Sequence, residues 1–164
     1  MQLVLIHGAP ATGKLTVGRA LSAHTGSPLV DNHAAIDLAR RVIDFGEPGF
    51  WDLVHNLRIK TFTGAARASV PLIIATAAYS HPVDAPLVQD YERALAAYGG
   101  AILPVHLTCS IETVMTRVSL PDRAKRGKIA TRDGLTRYIT QHNFAPMARE
   151  NCLCLSTEIA DPRE

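Results

Sequence analysis

The chain has 164 residues, 47% of them hydrophobic and 20% charged. That is enough to bury one core of ordinary size, and it excludes a disordered chain. The net charge of +2 is too small for bulk binding to nucleic acid, and no apolar run approaches the length of a membrane span. The first residues carry neither a charged leader nor a small-residue cleavage site, so the expected location is the cytoplasm. Cys109, Cys152 and Cys154 are odd in number and lie in apolar surroundings. They read as small buried hydrophobes in a reducing compartment, not as a disulfide framework or a metal site.

Taken in chain order, short apolar runs alternate with longer helical stretches. Residues 2–6 predict a buried strand, and Lys14 to about His24 a helix closed by Gly26 and Pro28. Leu29 and Val30 predict a short strand ending at Asp31. Helices follow at 33–44 and 50–67, then a strand at 70–77 and a helix at 84–98 closed by Gly99 and Gly100. Residues 101–108 read as a fourth strand, with Pro104 inside it. Ser110 is placed to cap a helix to about Ser119. A basic segment near 118–131, a helix to about His142 and a fifth strand over 151–156 complete the chain. Apolar strands joined by helices predict a parallel sheet covered on both faces. The expectation is a single α/β domain over 1–164.

The segment GAPATGKLT, Gly8 to Thr16, follows the first strand and opens the first helix. Its spacing is that of a phosphate-binding loop, G-x-x-x-x-G-K-[ST]. The backbone N–H groups of Ala11, Thr12, Gly13, Lys14, Leu15 and Thr16 can curl around phosphate oxygens, and Lys14 adds a full positive charge. Leu15 stands where a magnesium-binding hydroxyl is expected, and an aliphatic chain cannot coordinate the ion. Asp31, at the carboxyl end of the second strand, is the best-placed carboxylate for metal or base duty, because ligands of open α/β sheets gather there. His33, two residues on, could take a proton from an acceptor hydroxyl or serve only at a helix start. Trp51, His55, Arg58 and Phe62 recur on one face of the third helix, opposite Phe50, Leu53, Val54 and Leu57. Such a mixture of aromatic and polar groups suits a pocket wall. Tyr79 and His81 follow the third strand and could line the same pocket. Arg123, Lys125, Arg126 and Lys128 concentrate positive charge in the basic segment.

With these residues in hand, the sequence resembles the shikimate-kinase-like branch of the P-loop small-molecule kinases, which includes gluconate kinases and some antibiotic phosphotransferases. It is most similar to short kinase-like proteins with a G-K-L-T loop, some labelled tunicamycin-resistance proteins. GKLTVGRALSAHTGSPLVD is similar to the family's loop, first helix and acidic residue. GEPGF (Gly46 to Phe50), IIATAA (Ile73 to Ala78) and LTCSIETVMTR (Leu107 to Arg117) follow in the family's order. The resemblance implies a three-layer α/β/α P-loop NTPase fold with a five-stranded parallel sheet. It implies ATP and magnesium as cofactors, Arg117 beside the adenine, and Arg123 and Arg126 as phosphate-binding residues of a lid. It also implies transfer of the γ-phosphoryl group to a small hydroxylated metabolite or antibiotic. A nucleoside or nucleotide kinase, or a nucleotide-binding module without transfer, are the rival readings. The departures concern the acceptor. In shikimate kinases an arginine after G-E-x-x-F grips the substrate carboxylate; here that position is Trp51. His33 replaces the second acid of the family's D-x-D pair, and Ala77-Ala78-Tyr79 replaces a glycine triplet. Shikimate is therefore not the expected acceptor.

Overall fold

A computed structural model describes residues 1–120 and 129–158. The basic-segment residues Arg123, Lys125, Arg126 and Lys128 lie outside them. Five strands form one parallel sheet: β1 (Gln2–His7), β2 (Leu29–Val30), β3 (Leu72–Ala77), β4 (Ala101–Thr108) and β5 (Leu153–Ser156). Their order is β2-β3-β1-β4-β5. β1 lies at the centre, its Leu5 opposite Ala75 of β3 and Pro104 of β4. The continuous apolar run of β1 follows from this position: a strand covered on both faces has no polar side to show water.

Six helices are seen among the described residues: α1 (Lys14–Thr25), α2 (Asn32–Ala39), α3 (Phe50–Arg67), α4 (Ala85–Ala96), α5 (Ile111–Val118) and α6 (Arg132–Gln141). Their starts follow capping chemistry. Asp31, Ser110 and Thr131 each accept a backbone N–H from the first turn of the helix that follows. The faces of the sheet divide by strand alternation. Leu3, Leu5, Ile73 and Ala75 pack with Phe62 of α3 and with Val88, Tyr91 and Leu95 of α4. Ile6, Ile74 and Leu107 turn the other way, against Val17 and Leu21 of α1. No helix of the described residues is long and apolar enough to cross a membrane. The architecture is a three-layer α/β/α sandwich around one parallel sheet.

Several boundaries differ from the sequence reading. The helix expected over 33–44 ends at Ala39, and the chain continues in turns to Gly49. Phe62, expected on the pocket face of α3, is 3% exposed and packs edge-on against Tyr91 in the core. The part of α3 around Phe62 packs against the sheet and α4, whereas Trp51, His55 and Arg58 of its earlier turns line the cavity. Pro104 is accommodated because β5 pairs with β4 only from Val105 onward. At Pro104 one side of the strand is open, so its missing N–H costs nothing there. The cysteines are not buried hydrophobes: Cys154 is exposed, and Cys109 and Cys152 are half-buried.

Candidate active site

The turn from β1 into α1 forms the floor of the site. Gly8 has φ 140°, and a Cβ there would stand 2.3 Å from the Leu107 carbonyl oxygen, so only glycine lets the loop pass this close to β4. Gly13, at φ 89°, caps α1 in a conformation that side chains disfavour. Thr12 is buried and ties the loop to itself, its hydroxyl donating to the Ala9 carbonyl at 2.9 Å. The Lys14 ammonium donates to the carbonyls of Gly8 (2.8 Å) and Ala9 (2.6 Å). It is thereby held over the loop, where an anion would lie. Glycines that permit close approach, a helix N-terminus and a lysine folded over the turn are the parts a phosphate chain requires. Leu15 and Thr16 line the same cavity, Thr16 with its side chain exposed.

That cavity has a volume of about 1230 Å³ and runs from the loop to the starts of α2, α3 and α4 and to α6. Asp31 lies on it at the carboxyl end of β2. Its Oδ1 accepts the His33 N–H at 3.4 Å and the Thr76 hydroxyl at 3.2 Å. The His33 Nδ1 is 4.0 Å from the same oxygen. No three His, Cys, Asp or Glu side chains among the described residues converge as a metal site. Magnesium needs no such cage: one or two carboxylates plus the substrate's phosphates and water suffice. Asp31 fits that role, and Leu15 does not.

Along the wall opposite the loop, Trp51 is 51% exposed and packs edge-on against Phe45 and Phe50. Both ring nitrogens of His55 are engaged, Nε2 with Asp90 at 2.9 Å and Nδ1 with the Tyr91 hydroxyl at 3.4 Å. Arg58 donates to the Asn32 side-chain oxygen at 2.9 Å and its carbonyl at 3.3 Å, and also bonds the Tyr91 phenol. These bonds bind α3 to α4 and to the start of α2, next to Asp31. Tyr79 lines the cavity but is 4% exposed, and its hydroxyl meets His81 Nδ1 at 2.9 Å.

Arg117 reaches the loop from α5. Its guanidinium donates to the Thr157 hydroxyl at 3.0 Å and the Thr157 carbonyl at 2.9 Å, and Thr157 Oγ1 donates to the Thr12 carbonyl at 3.0 Å. The structure thus brings Gly8, Ala11, Thr12, Gly13, Lys14, Leu15, Thr16 and Arg117 to one end of the cleft. Asp31, His33, Trp51, His55, Arg58 and Tyr79 line its remaining walls. Arg123 and Arg126 lie outside the described residues.

Sequence reading missed four participants. Thr76 steadies Asp31, and Thr157 bridges Arg117 to the loop. Asp84 and Tyr138 also line the cavity. Thr76 could have been noticed as a hydroxyl ending an apolar strand; Thr157 had no signal, because only the β4–β5 pairing brings it to the loop. Behind the loop lies another omission, His7, which is fully buried with no partner for Nδ1 among the described residues. Its ring stacks on His106 at 4.9 Å. Burial, then His106 and Lys14, lowers its pKa to about 3, so it is neutral near pH 7.

No protein-family model and no curated protein sequence matches this chain. Solved structures do share its fold. A gluconokinase from Sinorhizobium meliloti superposes with a TM-score of 0.63 at 13% identity, covering 97% of this chain and 83% of that one. A shikimate kinase from Acinetobacter baumannii gives 0.60 at 18% identity, covering 98% and 87%. A tunicamycin resistance protein from Deinococcus radiodurans gives 0.59 at 15% identity, covering 99% and 90%. The chain therefore has the fold of the P-loop small-molecule kinases, of the shikimate-kinase-like kind.

Proposed function

We propose that the protein is an ATP-dependent phosphotransferase acting on a hydroxyl of a small metabolite or antibiotic other than shikimate. The observation that carries this reading is that the phosphate loop with Lys14 and the carboxylate of Asp31 face one cavity, large enough for a nucleotide and a second small molecule. A gluconokinase and a shikimate kinase stand among the structural neighbours, which supports the reaction class and not the substrate.

ATP supplies the phosphoryl group when bound, and magnesium offsets its charge. The chain's own residues do the rest. Loop N–H groups and Lys14 hold the β- and γ-phosphates, and Arg117 borders the adenine. Asp31 would either help hold the magnesium ion or act as the base that takes the proton of the acceptor hydroxyl. The acceptor oxygen bonds to the γ-phosphorus as the bond to the bridging oxygen breaks, and ADP leaves. The family resemblance assigns Arg123 and Arg126, which lie outside the described residues, to the phosphates. Such catalysis is positioning and electrostatics, with little covalent work for the protein.

Leu15 favours a second reading, a nucleotide-binding module without transfer. Magnesium-dependent ATP turnover, followed with and without a library of hydroxyl compounds, separates the two. Acceptor-dependent ADP release is the expected result, and nucleotide binding without any turnover across the library would support the module. We further propose a cytoplasmic location, in keeping with its three thiols.

A further inference from the structure

The C-terminal end of α6 brings a histidine to the cavity. His142 caps that helix and lines the cavity together with Tyr138, one turn earlier. Its Nδ1 lies 2.8 Å from the Tyr138 carbonyl oxygen, one of the carbonyls that the last turn of a helix leaves without an N–H partner. A carbonyl oxygen only accepts, so Nδ1 carries the proton. In the neutral ring Nε2 then holds a bare lone pair. Nε2 makes no hydrogen bond among the described residues.

The ring is held in place from two directions. Tyr138 stacks on it with centroids 4.0 Å apart, and Phe144 lies 5.9 Å away, nearly parallel. The chain that follows is fastened to the strand ends: the His81 N–H donates to the Asn143 carbonyl at 2.7 Å, and His106 Nε2 donates to the Phe144 carbonyl at 2.8 Å. With Nδ1 turned back onto the helix, Nε2 is the polar ring atom that His142 has left for the cavity. Capping the helix uses Nδ1 alone. A half-buried acceptor atom on a fixed ring is selective. It bonds an O–H, whereas a carboxylate, with no proton to give, would face a lone pair.

We propose that His142 binds the acceptor molecule: Nε2 takes a hydrogen bond from a second hydroxyl, while the hydroxyl to be phosphorylated meets Lys14 and Asp31. The acceptor class is a neutral polyol, a sugar or an alditol. The inference rests on the phosphotransfer reading and adds the substrate class to it.

The ring nitrogens of the full chain are read by long-range proton–nitrogen NMR at about pH 8, where an ordinary imidazole is neutral. The His142 signals are assigned from their loss in His142→Gln. Nδ1 should be protonated and Nε2 bare; the opposite tautomer would overturn the proposal. The chain is then saturated with magnesium and a non-hydrolysable ATP analogue. Glucose, galactose, ribose and sorbitol are titrated in, with cyclohexanol as the single-hydroxyl control. At least one polyol should move the Nε2 signal, and cyclohexanol should leave it in place. That polyol should bind about tenfold more weakly to His142→Leu. In His142→Gln, whose side-chain oxygen also accepts, affinity should return to within roughly threefold of wild type. Nε2 unmoved by every polyol, equal affinity in wild type and His142→Leu, or a loss that glutamine does not relieve would each overturn the proposal. Failure of the underlying reading is seen separately: a polyol that moves Nε2 but never receives phosphate from ATP would remove the kinase and leave the site. Transfer only to compounds that leave Nε2 unmoved would do the reverse.

Discussion

Thr76 donates its hydroxyl to Asp31 Oδ1 at 3.2 Å while accepting the Asn32 N–H at 2.9 Å, so the end of β3 holds the carboxylate at the end of β2. Thr76 is 6% exposed, so little water competes for either bond. If Asp31 orients the acceptor or the metal, Thr76→Val should lower kcat by roughly tenfold, about 1.4 kcal/mol in the transition state. ATP affinity should be nearly unchanged, and Thr76→Ser should restore the rate. Equal losses in valine and serine variants would point to packing instead.

The metal gives a second expectation. Asp31→Asn should weaken magnesium-dependent turnover far more than nucleotide binding, because amide oxygen is a poorer magnesium ligand and no base. Leu15→Ser should raise magnesium affinity by adding a hydroxyl at the start of α1. Titrating magnesium against turnover in both variants checks the pair, and full activity in Asp31→Asn would remove Asp31 from the site.

His7 makes stability acid-sensitive. In the unfolded chain it takes up a proton below its ordinary value of 6.5, whereas in the fold it stays neutral down to about 3. The unfolded state therefore binds more protons across that window. Stability is full above about pH 7 and falls as the pH drops through 6.5 toward 3. The loss at pH 5 is about 2 kcal/mol from this residue. His106, also lowered chiefly by burial, adds in the same direction. Urea unfolding at pH 7.5 and pH 5 of wild type and His7→Leu measures it; the acid loss should be smaller in the variant.

Shikimate should be a poor acceptor. Trp51 offers one N–H and no charge where a carboxylate needs a cation, and Arg58 is held by Asn32 and Tyr91. Leaving a carboxylate without its charged partner costs roughly 2–5 kcal/mol. A coupled assay with shikimate and ATP should show turnover well below about 1 per second, an ordinary enzymatic rate.

What could be read in the sequence was whatever is local. The loop's glycines and Lys14, the cap at Ser110 and the apolar strands all act through neighbours a few residues apart, and their pattern carries the fold. The cleft's supporting contacts are not local. Thr76 meets Asp31 across 45 residues, and Thr157 meets Thr12 across 145. Phe62 was misread because helical spacing alone does not say which turns of α3 lie over the core. The cysteines were misread because the apolar neighbours of Cys154 belong to β5, whose side chains are exposed.

The central claim, that the loop around Lys14 serves phosphoryl transfer, is tested most directly by following γ-labelled ATP in wild type and Lys14→Ala with magnesium and a library of small hydroxyl compounds. Lys14 is half-buried above the loop and absent from the hydrophobic core, so the variant should fold. Wild type should pass the label to at least one acceptor, and Lys14→Ala should bind ATP more weakly and transfer none. Equal ATP affinity and equal transfer in the two proteins would contradict the account.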